Sequence, residues 1–592
     1  MTSPRLARML LAAAALASLS ACAGTPPARR AGAPTVDVQI LAFNDFHGNL
    51  EPPKLAITAP APGGATVKVP AGGVAYLASA LEARRKGHAN SITVAAGDLV
   101  GASPLISALF LDEPTVDAMN LLGLSITSVG NHEFDRGRAE ILRLAHGGCQ
   151  KNTVREPCRI DRTFAGARYD ILAANTLTED GAPLLPGSVV RSFGSGAGRV
   201  RIGFVGMTLK GTATLVSPTG IAGLTFADEA ETANALVPGL KAQEVDAIVL
   251  LIHQGGQTSV GYDDKSCADL SGDILPILAK LDPAFDLVVS GHTHKSYVCD
   301  YGRIDPTRPF LLTSAGQYGT LVTDILLRID PAAHRVVARQ ADNVIVQGEG
   351  FGSGAAAVPV SPLYPRFPAS PPLAALAATY AQAAAPLTGR ALGRLSGPAL
   401  RAPTASRESV LGDLVADTYL AATNTAATGR ADLAFTNPGG VRADLVPAAD
   451  GTVTYGQLFT VLPFANTLVV RSYTGRQIRA ALEQQFSGTH SPAAPYVLLP
   501  SANMRYAYDL SRPEGQRILD ATVSGRPLDD AARYRVTVNN FLAGGGDGFA
   551  ALAEGTDSVG GPIDLDAFEA YLAGDRVVAL PVTDRIANRT PQ

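Results

Sequence analysis

Along its first half the chain alternates short apolar runs with stretches of helical period. Val36-Asp37-Val38-Gln39-Ile40 alternates apolar and polar positions and runs into Leu41-Ala42-Phe43, the pattern of a strand. Residues 91–96, 124–129, 169–174, 200–205, 245–252 and 285–290 are apolar runs of strand length, while residues 74–85 and a stretch around 115–122 have the spacing of amphipathic helices. Strands that alternate with helices predict a layered α/β domain, here over residues 36–348. Residues 52–73 are rich in Pro and Gly and read as a loop. The rhythm breaks at Gly350-Phe351-Gly352-Ser353-Gly354 and the prolines after it, so residues 349–385 read as a linker that closes with an Ala-rich helix over 373–385. Residues 386–592 then form a second domain, as a chain of 592 residues requires.

The apolar runs share one way of ending. They open into Asn44-Asp45-Phe46-His47-Gly48, Gly97-Asp98, Gly130-Asn131-His132-Glu133-Phe134-Asp135, His253-Gln254-Gly255-Gly256 and Gly291-His292-Thr293-His294. Polar groups at the carboxyl ends of strands gather on the rim where α/β sheets bind ligands. Asp45 and His47, like His292 and His294, are separated by one residue, which on an extended segment points both side chains the same way. Five of the nine histidines repeat this context. Asp45, His47, Asp98, Asn131, His253, His292 and His294 form a mixed oxygen and nitrogen ligand set, better suited to Zn, Mn or Fe than to Ca or Mg. Seven ligands exceed the needs of one ion and fit two that share a carboxylate. Two ions about 3.5 to 4 Å apart activate water and clamp the oxygens of a displacement at phosphorus, so the reaction class implied is phosphate ester hydrolysis.

In this order the clusters resemble the calcineurin-like metallophosphoesterases. Asn131-His132-Glu133-Phe134-Asp135, taken with the C-terminal half, resembles the 5′-nucleotidase family, which includes bacterial UDP-sugar hydrolases. The resemblance implies a four-layer α/β/β/α domain followed by a smaller α+β C-terminal domain. It implies one ion on Asp45, His47, Asp98 and His294, a second on Asp98, Asn131, His253 and His292, and Asp98 as the bridge. His132, paired with Asp135, would be the catalytic dyad that stabilises charge on the phosphoryl group and leaving oxygen. Some family members carry Gln in place of His294. In the second domain the resemblance assigns Phe464 and Phe541 to sandwich a base, Arg407 and Arg442 to an anionic end, and Asn437, Gly440, Asn466 and Asp547 to base and ribose. Pro403 stands where some members have another arginine. The implied activity is removal of the 5′-phosphate of nucleotides, with UDP-sugar cleavage as an addition. A 2′,3′-cyclic-nucleotide phosphodiesterase with 3′-nucleotidase activity is the nearest rival. A silent nucleotide-binding surface protein would be expected to lack ligands or dyad, and none is missing.

Composition narrows the partners. A formal net charge of -4 with 17% charged residues gives no polyelectrolyte attraction to a nucleic-acid polymer or to anionic lipid; a small nucleotide substrate and a monomer are expected. Arg5 and Arg8 precede an apolar run over residues 9–19, the layout of a secretory signal. Leu19-Ser20-Ala21-Cys22 resembles the lipobox of bacterial lipoproteins, so residues 1–22 read as a leader, 23–35 as a tether, and the periplasm or outer membrane as the location, with lipid on Cys22 as the only membrane contact. The other cysteines, Cys149, Cys158, Cys267 and Cys299, allow three pairings. Cys149 with Cys158 and Cys267 with Cys299 are favoured, since each pair flanks a loop within one domain.

Overall fold

The computed structural model describes residues 35–591 apart from 154, 217–219, 355–356 and 465. The leader and Cys22 lie outside the described residues. Val36–Phe43 lies inside a six-stranded sheet: Leu321–Asp330 pairs antiparallel on one side, while Ser91–Ala96, Ile126–Ser128 and Asp170–Leu172 follow in parallel on the other. A second six-stranded sheet has Leu311–Ala315, Leu287–Ser290, Ala247–His253 and Val200–Thr208 parallel at its centre, with an antiparallel strand at each edge. The sheets pack face to face through Val38, Ile40, Ala42 and Val94 on one and Phe204, Val249, Leu251 and Val289 on the other, all buried. Leu41 and Phe43 point away from that seam, into a layer that includes residues of helices Val74–Arg85 and Glu113–Leu122. Helix Glu229–Ala242 covers the second sheet. Strands buried on both faces need apolar side chains throughout, which is why the sequence showed near-continuous runs. The four-layer α/β/β/α order is the expected one.

Two segments differ from the sequence reading. Residues 52–73 contain a hairpin, Leu55–Pro60 paired with Thr66–Ala71. Its tip uses Gly63 and Gly64 at φ 76° and 80°, and a two-stranded ribbon accepts Pro60 and Pro70 because each strand keeps one open edge. The Ala-rich helix is longer than expected, Pro371–Thr388, with prolines in its first turn where no intrahelical N–H is needed. Leu373, Ala377, Tyr380 and Ala384 fall on one stripe and are buried in the core of the first domain, and the Tyr380 ring meets Phe110 edge-on at 4.9 Å.

The second domain has a five-stranded sheet, with Arg533–Asn539 between Leu433–Thr436 and Thr467–Thr474, and two smaller sheets. One of its cores takes in Leu105 and Ala108 from the first domain beside Phe459 and Leu414, so the domains share a packed contact. Cys149 and Cys158 are disulfide-bonded. The second expected bridge is absent: Cys267 and Cys299 are buried free thiols.

Candidate active site

The predicted metal ligands converge where the two sheets meet. Asp45 and His47 follow Val36–Phe43, Asp98 follows Ser91–Ala96, Asn131 follows Ile126–Ser128, and His292 and His294 follow Leu287–Ser290; His253 is the last residue of its own strand. The means of convergence is not the alternation expected of an extended segment. Asp45, His47, Asp98, His292 and His294 all have left-handed backbone, at φ 50°, 46°, 49°, 72° and 57°. Non-glycine residues adopt this region at a cost, and clusters of them mark functional sites. Two glycines make room for the turn. A Cβ on Gly97, at φ 78°, would sit 2.7 Å from both the Gly130 nitrogen and His253 Nδ1, and a Cβ on Gly130 would sit 2.2 Å from Asp98 Oδ1.

The donors form two groups, Asp45 with His47 and His294, and Asp98 with His253 and His292. Asp98 Oδ2 lies 2.9 Å from His253 Nε2 and 3.5 Å from His47 Nε2, so one carboxylate reaches both groups. Asn131 Oδ1 is 3.1 Å from His292 Nδ1. The remaining ring nitrogens of His47 and His253 face backbone carbonyls, Gly101 O at 2.9 Å and Ala96 O at 2.8 Å. Such partners fix the tautomer and free Nε2 for an ion. Burial pushes the imidazoles of His47 and His292 down to about 3, which keeps them neutral. The fit to cations shows in what is left over: His253 Nε2 is fully buried without a properly angled hydrogen bond, and His47 Nε2 and His294 Nε2 face each other at 3.2 Å. Two divalent ions would satisfy these nitrogens and the carboxylates of Asp45 and Asp98.

Beside this centre the His132–Phe134 turn places His132 Nδ1 2.9 Å from Asp135 Oδ2. Burial works against the charged imidazole, but Asp135 and Asp98 outweigh it and raise its pKa. Glu133 points the other way. Its carboxylate is buried and accepts the backbone N–H groups of Gly130, Asp98 and Leu99, tying the Asp98 turn to the Asn131 turn. Burial and the charge of Asp98 push it up to about 7. The sequence reading gave Glu133 no role; only its place inside the cluster marked it.

A cavity of about 470 Å³ joins this region to the second domain. Asn131, His132, Asp135 and His292 form one wall; Asn437, Gly440, Arg442, Phe464, Asn466, Phe541 and Asp547 form the other. Phe464 lies parallel to the His132 ring, centroids 5.6 Å apart and planes within 8°, with the Arg442 guanidinium 5.7 Å from its centroid. Asn437 Nδ2 donates to Asp547 Oδ2 at 2.6 Å. Tyr496, Asn539 and Asn540 also line the cavity; Asn540 opens the glycine-rich stretch that carries Phe541 and Asp547, while Tyr496 and Asn539 lacked a sequence signal. Tyr496 accepts a hydrogen bond from the Gly439 nitrogen at 2.7 Å and stacks on His490. Arg407 does not line the cavity: it is exposed, at φ 66°. Arg401, which the motifs did not mark, instead donates to the Arg442 carbonyl at 2.9 Å.

Two family models match the chain in succession: calcineurin-like phosphoesterase over residues 38–296 and 5′-nucleotidase, C-terminal domain, over 391–554. The crystal structure of a 5′-nucleotidase precursor from Thermus thermophilus superposes with a TM-score of 0.70 at 27% identity, covering 93% of this chain and 99% of that one. The chain belongs to the 5′-nucleotidase family of calcineurin-like phosphoesterases. Among curated members of the family, NAD 5′-nucleotidase of Haemophilus influenzae is 26% identical over 573 residues, 88% of this chain and 86% of that protein. Endonuclease YhcR of Bacillus subtilis is 28% identical over 578 residues. That alignment takes in 97% of this chain, which spans only 42% of the Bacillus protein.

Proposed function

We propose that this protein hydrolyses the 5′-phosphate ester of nucleotides to nucleoside and phosphate. The carrying observation is the parallel contact of Phe464 with His132, which sets a base-sized aromatic platform against the dyad inside one cavity. Bound in the two ligand groups, divalent ions would polarise the phosphoryl oxygens and supply a nucleophile at neutral pH. The remaining work belongs to the chain. Phe464 and Phe541 hold the base, Asn437 and Asp547 orient the nucleoside, and Arg442 draws in the anionic phosphate as a planar donor. With Nδ1 engaged by Asp135, His132 presents Nε2 to the leaving 5′ oxygen, where an imidazolium can give up its proton. Asp135 holds that tautomer, and the enclosing wall limits water.

The test is phosphate release by the metal-loaded protein from 5′-AMP, 3′-AMP, 2′,3′-cyclic AMP and UDP-glucose in parallel. Preference for 5′-AMP supports this reading; preference for the cyclic or 3′ substrate overturns the substrate geometry while keeping the metal centre. We further propose that residues 1–22 direct export and that Cys22 carries lipid. Release of a Cys22→Ala variant from the membrane fraction would bear this out, and unchanged fractionation would refute it.

A further inference from the structure

A second cavity, about 400 Å³, shares Asp135 and Phe464 with the first, and its volume is within the range of small-ligand sites. It too is walled by both domains: Arg136 and Arg155 come from the first, Phe459 and Pro463 from the second. Its charges do not balance. Arg136 is paired with the buried carboxylate of Asp112. Arg155, half-buried, meets one carbonyl, Ala108 O at 2.9 Å, and the face of Phe459, 5.5 Å from the ring centroid; among the described residues no carboxylate pairs with it. Burial and the nearby charge of Arg136 hold the Arg155 guanidinium below its usual range. An incompletely paired guanidinium that is partly buried is costly, and an anion offsets that cost. The Asp135 carboxylate at the edge of this cavity is engaged by His132. Arg155 sits in the loop closed by the Cys149–Cys158 disulfide, and its guanidinium lies at the domain junction, between Ala108 of the first domain and Phe459 of the second.

We infer that this cavity is a second anion subsite, which takes a phosphate group between Arg136 and Arg155. Two sources share that chemistry: the far phosphate of an extended nucleotide, or free inorganic phosphate acting as an effector. The primary test does not depend on the nucleotidase reading. Inorganic phosphate is titrated calorimetrically into metal-stripped full-length protein, so that the metal centre contributes no binding. Saturable binding that weakens at least tenfold in Arg155→Gln, with unchanged circular dichroism, is the expected result. No binding, or equal binding in the variant, overturns the subsite. The source then follows from steady-state kinetics of the metal-loaded protein. If the far phosphate occupies the site, Arg155→Gln raises KM for 5′-ADP several-fold and leaves 5′-AMP unaltered. If product phosphate occupies it, the variant treats both nucleotides as the wild type does and loses the non-competitive part of phosphate inhibition. An Arg155→Lys variant, which keeps the charge, should retain part of the binding.

Discussion

At the scale of single residues, side chains three positions apart or less have separate duties. His132 faces the cavity, Glu133 faces the backbone of the Asp98 turn, and Asp135 orients His132. Replacing His132 with Asn should lower kcat by about 10² to 10⁴, the usual contribution of a positioned acid or base, while metal content measured by atomic emission stays at two ions; full turnover would remove the dyad from the mechanism. Glu133→Gln should do the reverse. It disturbs the backbone anchor of the Asp98 turn, so metal affinity should fall about 10- to 100-fold, as for other outer-shell partners, with kcat recovered at saturating metal. The ligand types were legible in the sequence because each follows an apolar run. The geometry that gathers them was not, since five left-handed residues replace the extended alternation that the one-residue spacing suggested. Arg401 and Tyr496 were invisible for another reason: their neighbours are brought in by the tertiary fold.

At the scale of elements, the long helix Pro371–Thr388 joins the two halves but packs as part of the first. Its buried stripe ends in Tyr380 and Ala384, beside Phe110 and within the core that supports the strand leading to Asp45 and His47. Tyr380→Ala should destabilise the first domain by about 3 to 5 kcal/mol, the range for deleting a large buried aromatic, measurable as a lower midpoint in urea with the second domain's transition unmoved. A single shared shift would mean that the domains unfold as one unit. The helix itself was legible from its alanines, but the buried stripe of Leu373, Ala377, Tyr380 and Ala384 was not read, because alanines on every face mask the period. The hairpin over residues 55–71 was hidden by its prolines and glycines, which mark turns more strongly than the short alternation of Thr66-Val67-Lys68-Val69 marks a strand.

At the scale of the molecule, the second domain closes on its own C-terminal segment through buried charge. Arg585 reaches Asp417 at 2.7 Å and Asp413 at 3.7 Å, and Glu408 accepts the Arg585 backbone N–H at 2.8 Å. Burial pushes Asp413 up to about 9, against the pull of Arg585 and with the help of Glu408. The folded state therefore keeps a proton that the unfolded chain has lost above about pH 4, so stability falls as pH rises from there towards 9. Asp413→Asn removes this linkage, and its Tm should decline less than that of the wild type between pH 6 and 9. Parallel decline in both would show that Asp413 is ionised in the folded protein.

The contact between Phe464 and His132 has a consequence for selectivity in time. In the proposed mechanism His132 and Phe464 are neighbours before any ligand arrives, so the chemistry would be guarded by the same ring that would read the base. A phosphate ester without a base, such as glycerol phosphate, has nothing with which to displace or share that ring, and should be turned over slowly even when it saturates the metal centre. Truncation of Phe464 to Ala would then narrow the gap between glycerol phosphate and 5′-AMP from both ends, making the enzyme less choosy and the favoured ester slower.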